Sequence, residues 1–175
     1  MRAKVVSIFC ACLVMLAAST AFAQTAAPTL KANSDEDKAF RKILAEKNSD
    51  AQTQLLQDFV KQFPKSTAVP QAWSMLMDIA SEKNDHAKIT EYGEQAIKAD
   101  PQNVTALVTV SRIYAMDGKN LEVAVNYAQR AVDNVDKMKT QPAPSNYSPE
   151  EWKDLIKQNE DAAKGMLNYA KAVKK

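Results

Sequence analysis

Residues 73–114, WSMLMDIASEKNDHAKITEYGEQAIKADPQNVTALVTVSRIY, decide the fold. Trp73 precedes Leu107 by 34 residues, and the same interval separates Leu76 from Val110, Met77 from Ser111 and Ala80 from Tyr114. Ala96 recurs as Ala131 after 35, the added residue falling in the turn around Lys119-Asn120. A constant interval of this size marks stacked supersecondary units, each too small to bury its apolar face alone. Inside each unit the apolar residues fall three and four apart, which is helical spacing.

The same spacing extends outward in both directions. Ala39, Phe40, Ile43 and Leu44 predict a first helix from Asp35. Ser49, with Gln52 three residues later, reads as a capping box opening a second helix through Leu55, Leu56, Phe59, Val60 and Phe63, stopped by Pro64. Helices over Val69–Glu82 and Val104–Met116 follow, with Asn84-Asp85 as turn and cap, a stripe of Ile89, Tyr92, Ala96 and Ile97 closed by Asp100-Pro101, and a break at Asp117-Gly118. A sixth helix is predicted from 121 to about 135. Residues 137–147 contain Pro142 and Pro144 without a stripe and read as a linker. Ser148-Pro149-Glu150-Glu151 then places a hydroxyl cap, a first-turn proline and two acids at one helix start. That last helix should run about six or seven turns, with Trp152, Leu155, Ile156, Ala163, Met166, Leu167, Ala170 and Val173 on one face. No segment shows strand alternation, so the expected fold is all-α.

The repeat resembles the tetratricopeptide repeat (TPR) family. Its pattern is matched as Trp73-x2-Leu76-Met77-x2-Ala80 … Ile89-x3-Gly93-x2-Ala96-x4-Pro101, then as Leu107-x2-Val110-Ser111-x2-Tyr114 … Ala124-x3-Ala128-x2-Ala131. Met77 stands in place of a small residue, Ile89 of an alanine and Gly93 of an aromatic. The resemblance implies a short right-handed α-solenoid over 35–136, with 137–148 a linker and 149–175 a long C-terminal helix packing on the repeats. The chain is also similar to exported bacterial proteins of this kind, which implies no defined activity.

Export is read from the first residues. Arg2 and Lys4 precede an uncharged, mostly apolar run, and Ala21-Phe22-Ala23 is a signal-peptidase triplet, so 1–23 reads as a secretory leader. Residues 24–34 read as a flexible spacer, and a periplasmic or secreted location is expected, without stable membrane insertion after cleavage. Of 175 residues, removing 23 leaves 152, enough for one domain. The 23 basic residues lose Arg2 and Lys4, leaving 21 against 21 acids. Such balance argues against a nucleic-acid partner, which demands surplus Lys and Arg. Cys10 and Cys12 both lie in the leader, so no thiol, disulfide or cysteine metal site is expected in the exported chain.

No catalytic, cofactor or metal site is expected elsewhere. His86 is the single histidine, with no Glu-x-x-His or His-x3-His partner, and a packing or solvent-facing role in its turn is expected. The acids Asp35, Glu36 and Asp37, and Glu150 with Glu151, suit first helical turns. Asn103-Val104-Thr105 and Asn146-Tyr147-Ser148 match a glycosylation acceptor, a pattern common by chance. Trp152 is expected to be buried against the last repeat.

In a TPR stack the first helix of each pair lines a groove. The residues expected to face it are Gln71, Ser74, Asp78, Ser81 and Glu82, then Thr105, Val108, Thr109, Arg112 and Met116. Their mixture suits a protein or peptide partner, the expected function being a non-enzymatic interaction module. A small-ligand or enzymatic site between the repeats and the last helix, using His86, Trp152 or Tyr169, is the alternative. Self-association through an open stack end is a further partner reading.

Overall fold

The computed structural model describes residues 28–175, so the leader reading lies outside the described residues. The fold is all-α. Seven helices follow in order: α1 Asp35–Ala45, α2 Ser49–Gln62, α3 Val69–Glu82, α4 His86–Ala99, α5 Val104–Met116, α6 Leu121–Lys139 and α7 Pro149–Lys174. Each packs on the next, giving adjacent pairs α1/α2, α3/α4 and α5/α6, and α7 lies against both α5 and α6. Residues 28–34 make defined contacts: Leu30 packs on the core and Thr67 donates to the Thr29 carbonyl at 3.2 Å.

Caps set the helix starts. Ser148 accepts from the Glu151 amide while Glu151 accepts from the Ser148 amide, the reciprocal box expected there. At α2 the expected box at Ser49 is wrong by one residue. Asn48, in extended backbone, is the cap and accepts from the amides of Asp50 and Ala51. Gln52 reaches instead to the carbonyls of Ile43 and Glu46, tying α2 to the end of α1. Helix α6 runs four residues past the expected end because Val135 and Met138 find burial in its last turns.

One core runs through the pairs, with Phe59, Leu56, Leu76, Met77, Leu107 and Val110 almost fully enclosed. Each such side chain contributes about 1.5–3 kcal/mol by leaving water. Alanines 72, 96, 106, 124, 128 and 131 show no exposed surface, and at these points the helix backbones come close. Ser111, buried, donates to the Ala124 carbonyl at 2.7 Å, joining α5 to α6. Two of the three irregular positions of the first repeat, Met77 and Gly93, compensate one another. A Cβ on Gly93 would fall 3.2 Å from the Met77 sulfur and 2.3 Å from Val110 Cγ2, so the bulk at 77 occupies the space vacated at 93.

Polar ties repeat with the helices. The start of α2 meets the end of α3 through Asp50 and Lys83 at 2.5 Å, α4 meets α5 through His86 and Asp117 at 2.9 Å, and α6 meets α7 through Glu122 and Lys174 at 2.6 Å. Exposed pairs of this kind contribute little energy. They do show that α7 occupies the place of a first helix in a further pair. Second helices are linked as well: Gln57 donates to the Tyr92 hydroxyl, and Glu94 accepts from Tyr127 at 2.7 Å and from Tyr114 of α5 at 2.9 Å. Burial, then the Glu94 carboxylate, pushes the Tyr114 hydroxyl up to about 12 and the Tyr127 hydroxyl higher, so both stay protonated donors.

Candidate functional site

The ten residues expected to line the groove divide by burial. Ser74 and Val108 are corrections, since both are buried and offer no surface to a partner. Ser74 donates to the Pro70 carbonyl and accepts from Asn103, which holds the start of α5 against α3. Val108 is enclosed because α5 is flanked by α4, α6 and α7 together. Gln71, Ser81, Thr105 and Thr109 are half-buried, and Ser81 bonds back to the Met77 carbonyl of its own helix. Asp78, Glu82, Arg112 and Met116 are exposed.

Arg112 and Met116 open onto a cleft of roughly 480 Å³ between α5 and α7. Its α7 wall is built by Asp161, Ala162, Gly165, Met166 and Tyr169. Met166 is buried and forms the floor, whereas Met116 is 55% and Tyr169 44% exposed. Val173, one turn beyond Tyr169, is also exposed. Thus three of the four large apolar side chains left exposed among the described residues, Leu44 being the other, gather along this strip. Chance scatter of single exposed apolar residues is ordinary, but a contiguous patch signals an interaction surface. Neither Arg112 nor Asp161 makes an ion pair or hydrogen bond among the described residues, so both charges stay uncommitted.

Gly165 is the informative residue of the wall. Glycine inside a helix costs about 1 kcal/mol relative to alanine. Nothing lies within 4 Å of where its Cβ would stand, so packing within the chain does not require its absence. The bare backbone instead widens the cleft. Gly165→Ala should therefore raise stability by about 0.5–1 kcal/mol in urea unfolding, and a loss would mean the position is sterically constrained after all.

On α3, Asp78 retains solvent contact, but surrounding protein removes much of the water near its carboxyl. That desolvation, then repulsion from Glu82 one turn on, raises its pKa from 3.8 to about 6. A carboxyl raised on folding favours the native state below about pH 4 and loses that contribution as pH climbs through 6. Asp78→Asn should accordingly raise Tm at pH 7.5 and leave it unchanged at pH 4. Equal shifts at both values would contradict this origin.

The remaining candidates have structural partners. His86 Nδ1 contacts Asp117, and among the described residues no group of three His, Cys, Asp or Glu could hold a metal. Trp152 is buried and packs on the Tyr147 ring at 5.7 Å, so of the three residues in the alternative site Tyr169 alone lines the cleft. Asn103 is buried with both side-chain atoms bonded, which closes it to glycosylation in the folded chain. Among the first-turn acids, Asp37 accepts from the Asn33 amide and from Arg41, contacts that hold its carboxyl below the usual range. Sequence reasoning missed Gly165, Asp161 and Met166 as site residues. The mid-helix glycine was the available signal.

A scan against protein-family models finds none that matches the chain, and a search of curated proteins finds no match either. Fold and cleft together define a class: the described residues form an all-α domain of seven helices packed as adjacent pairs, with an apolar cleft where the last helix meets the fifth. No helix among the described residues is long and apolar enough to cross a membrane.

Proposed function

We propose that this chain is an exported TPR-type protein whose work is non-enzymatic binding of a protein partner. The 34-residue recurrence supports the repeat type, and the leader pattern supports export to the periplasm or beyond. The observation that carries the binding reading is the α5–α7 cleft, where exposed Met116 and Tyr169 and the uncommitted charges of Arg112 and Asp161 meet over bare backbone at Gly165. Folding leaves that apolar surface in water, a cost that a docked partner would recover. The test is site-specific photo-crosslinking in the exporting cell at positions 116, 169 and 58, the last being exposed on α2. Adducts at 116 and 169, absent at 58, are expected. A chain that forms no adduct at 116 or 169 has no partner on this side, and the reading fails.

A second reading, a small-ligand carrier using the same cleft, is favoured by its volume, which falls within the range of about 300–1,000 Å³ common for such pockets. Ligand-dependent heat stability across a metabolite panel separates the two.

A further inference from the structure

We infer that the occupant of the α5–α7 cleft is an amphipathic α-helix of the partner, one that carries an acidic residue for Arg112; this rests on the protein-binding reading above. The choice between a helix and an extended segment follows from backbone chemistry. Every amide and carbonyl of an extended chain must find a partner when buried. The cleft walls are two α-helices, whose own backbone groups are paired internally, and they offer side-chain polarity only at Arg112, Asp161 and the Tyr169 hydroxyl. A helix arrives with its backbone already satisfied.

The shape of the α7 wall fits the same occupant. Ala162, Gly165, Tyr169 and Ala172 follow one another at spacings of three and four and are all exposed, with Val173 alongside. This second stripe on α7 is separate from the buried one through Ala163, Met166 and Ala170 that faces the core. It extends about 17 Å, or three helical turns. Small residues at 162, 165 and 172 let another helix approach closely, and Tyr169 and Met116 stand on either side as apolar contacts. Since α5 and α7 both run antiparallel to α6, they run parallel to each other. Arg112 therefore lies one turn before Met116, and Asp161 two turns before Tyr169, both toward the same end of the cleft. Charge complementarity then specifies the partner's face: an apolar pair four residues apart, followed at one end by an acid opposite Arg112 and a base opposite Asp161.

The experiment pits two display libraries of equal diversity against the mature chain, one randomised on a stable helical hairpin and one of unstructured 12-residue peptides. Binders should emerge from the helical library, carry an acid beside an apolar i,i+4 pair, and lose affinity about tenfold or more on Gly165→Leu, which places a side chain in the cleft. Arg112→Glu should weaken them about tenfold, and changing the peptide's acid to lysine should restore binding to that variant. Circular dichroism melts, and Gly165→Ala as a milder filling, separate cleft blockage from misfolding. Selection only from the unstructured library, no helical binder at all, or helical binders indifferent to Gly165→Leu would overturn the inference. So would a dimer of this chain that Gly165→Leu dissociates, since the occupant would then be a second copy. Crosslinks at 116 and 169 alongside any of these results would leave the protein-binding reading standing with a different occupant; their absence would remove both.

Discussion

Asn103→Ala is expected to lower folding stability by about 2–4 kcal/mol, or roughly 6–12 °C in Tm for a domain of this size. Asn103 is 1% exposed, and its two side-chain atoms serve different helices. Oδ1 accepts from the Ala106 amide at 2.9 Å, capping α5, while Nδ2 donates to Ser74 Oγ at 2.9 Å, holding α5 on α3. Alanine removes the bond to Ser74, worth about 1 kcal/mol. It also leaves the amide of fully enclosed Ala106 without a partner, which adds about 1–3 kcal/mol because water cannot replace the lost acceptor. Asn103→Ser keeps an acceptor for the amide and should recover part of the loss. Ser74→Ala removes the bond from Asn103 together with its own bond to the Pro70 carbonyl but keeps the α5 cap, and its effect should be non-additive with Asn103→Ala. Urea unfolding of the four variants measures this. A loss below 1 kcal/mol for Asn103→Ala would show that the α3–α5 junction is held by something else.

Gly93→Ala should destabilise by about 1–3 kcal/mol even though alanine is the better helix former by about 1 kcal/mol. The new Cβ would stand 2.3 Å from Val110 Cγ2, far inside contact distance. Val110 is wholly buried, and a β-branched side chain in a helix has essentially one rotamer, so relief must come from moving α4 away from α5. Separating them strips contacts from both. Trimming the obstacle provides the check: Val110→Ala should cost substantially less in the Gly93→Ala background than alone. If Gly93→Ala is neutral or stabilising in thermal melts, α4 and α5 are not packed as closely as the structure places them.

These two positions show how far local pattern can be read. Asn103 and Gly93 are visible in the sequence as a helix start and as a departure from the repeat. What each touches is not, because Ser74 lies 29 residues away and Val110 lies 17 away, on other helices. The candidate site divides similarly. Arg112 and Met116 follow from helical phase and the repeat, since both sit on the side of α5 turned away from its pair partner. Ser74 and Val108 share that phase and yet are buried, because Asn103 reaches over one and the helices around α5 enclose the other. Of the α7 wall, Tyr169 was legible as a candidate and Gly165 as a glycine without a turn. Its pairing with Arg112 depends on the register between α5 and α7, which no local signal encodes.

Sequence alone determined the helical spacing, the 34-residue recurrence, most helix ends and the residues apolar enough to form a core, since these depend on neighbours within a turn or two of the chain. Tertiary structure decided which helix faces stay in water. Burial is a property of what packs opposite a residue: Val108 is enclosed on a helix packed against α4, α6 and α7, while Met116, Gly165 and Tyr169 stay along the open seam between α5 and α7.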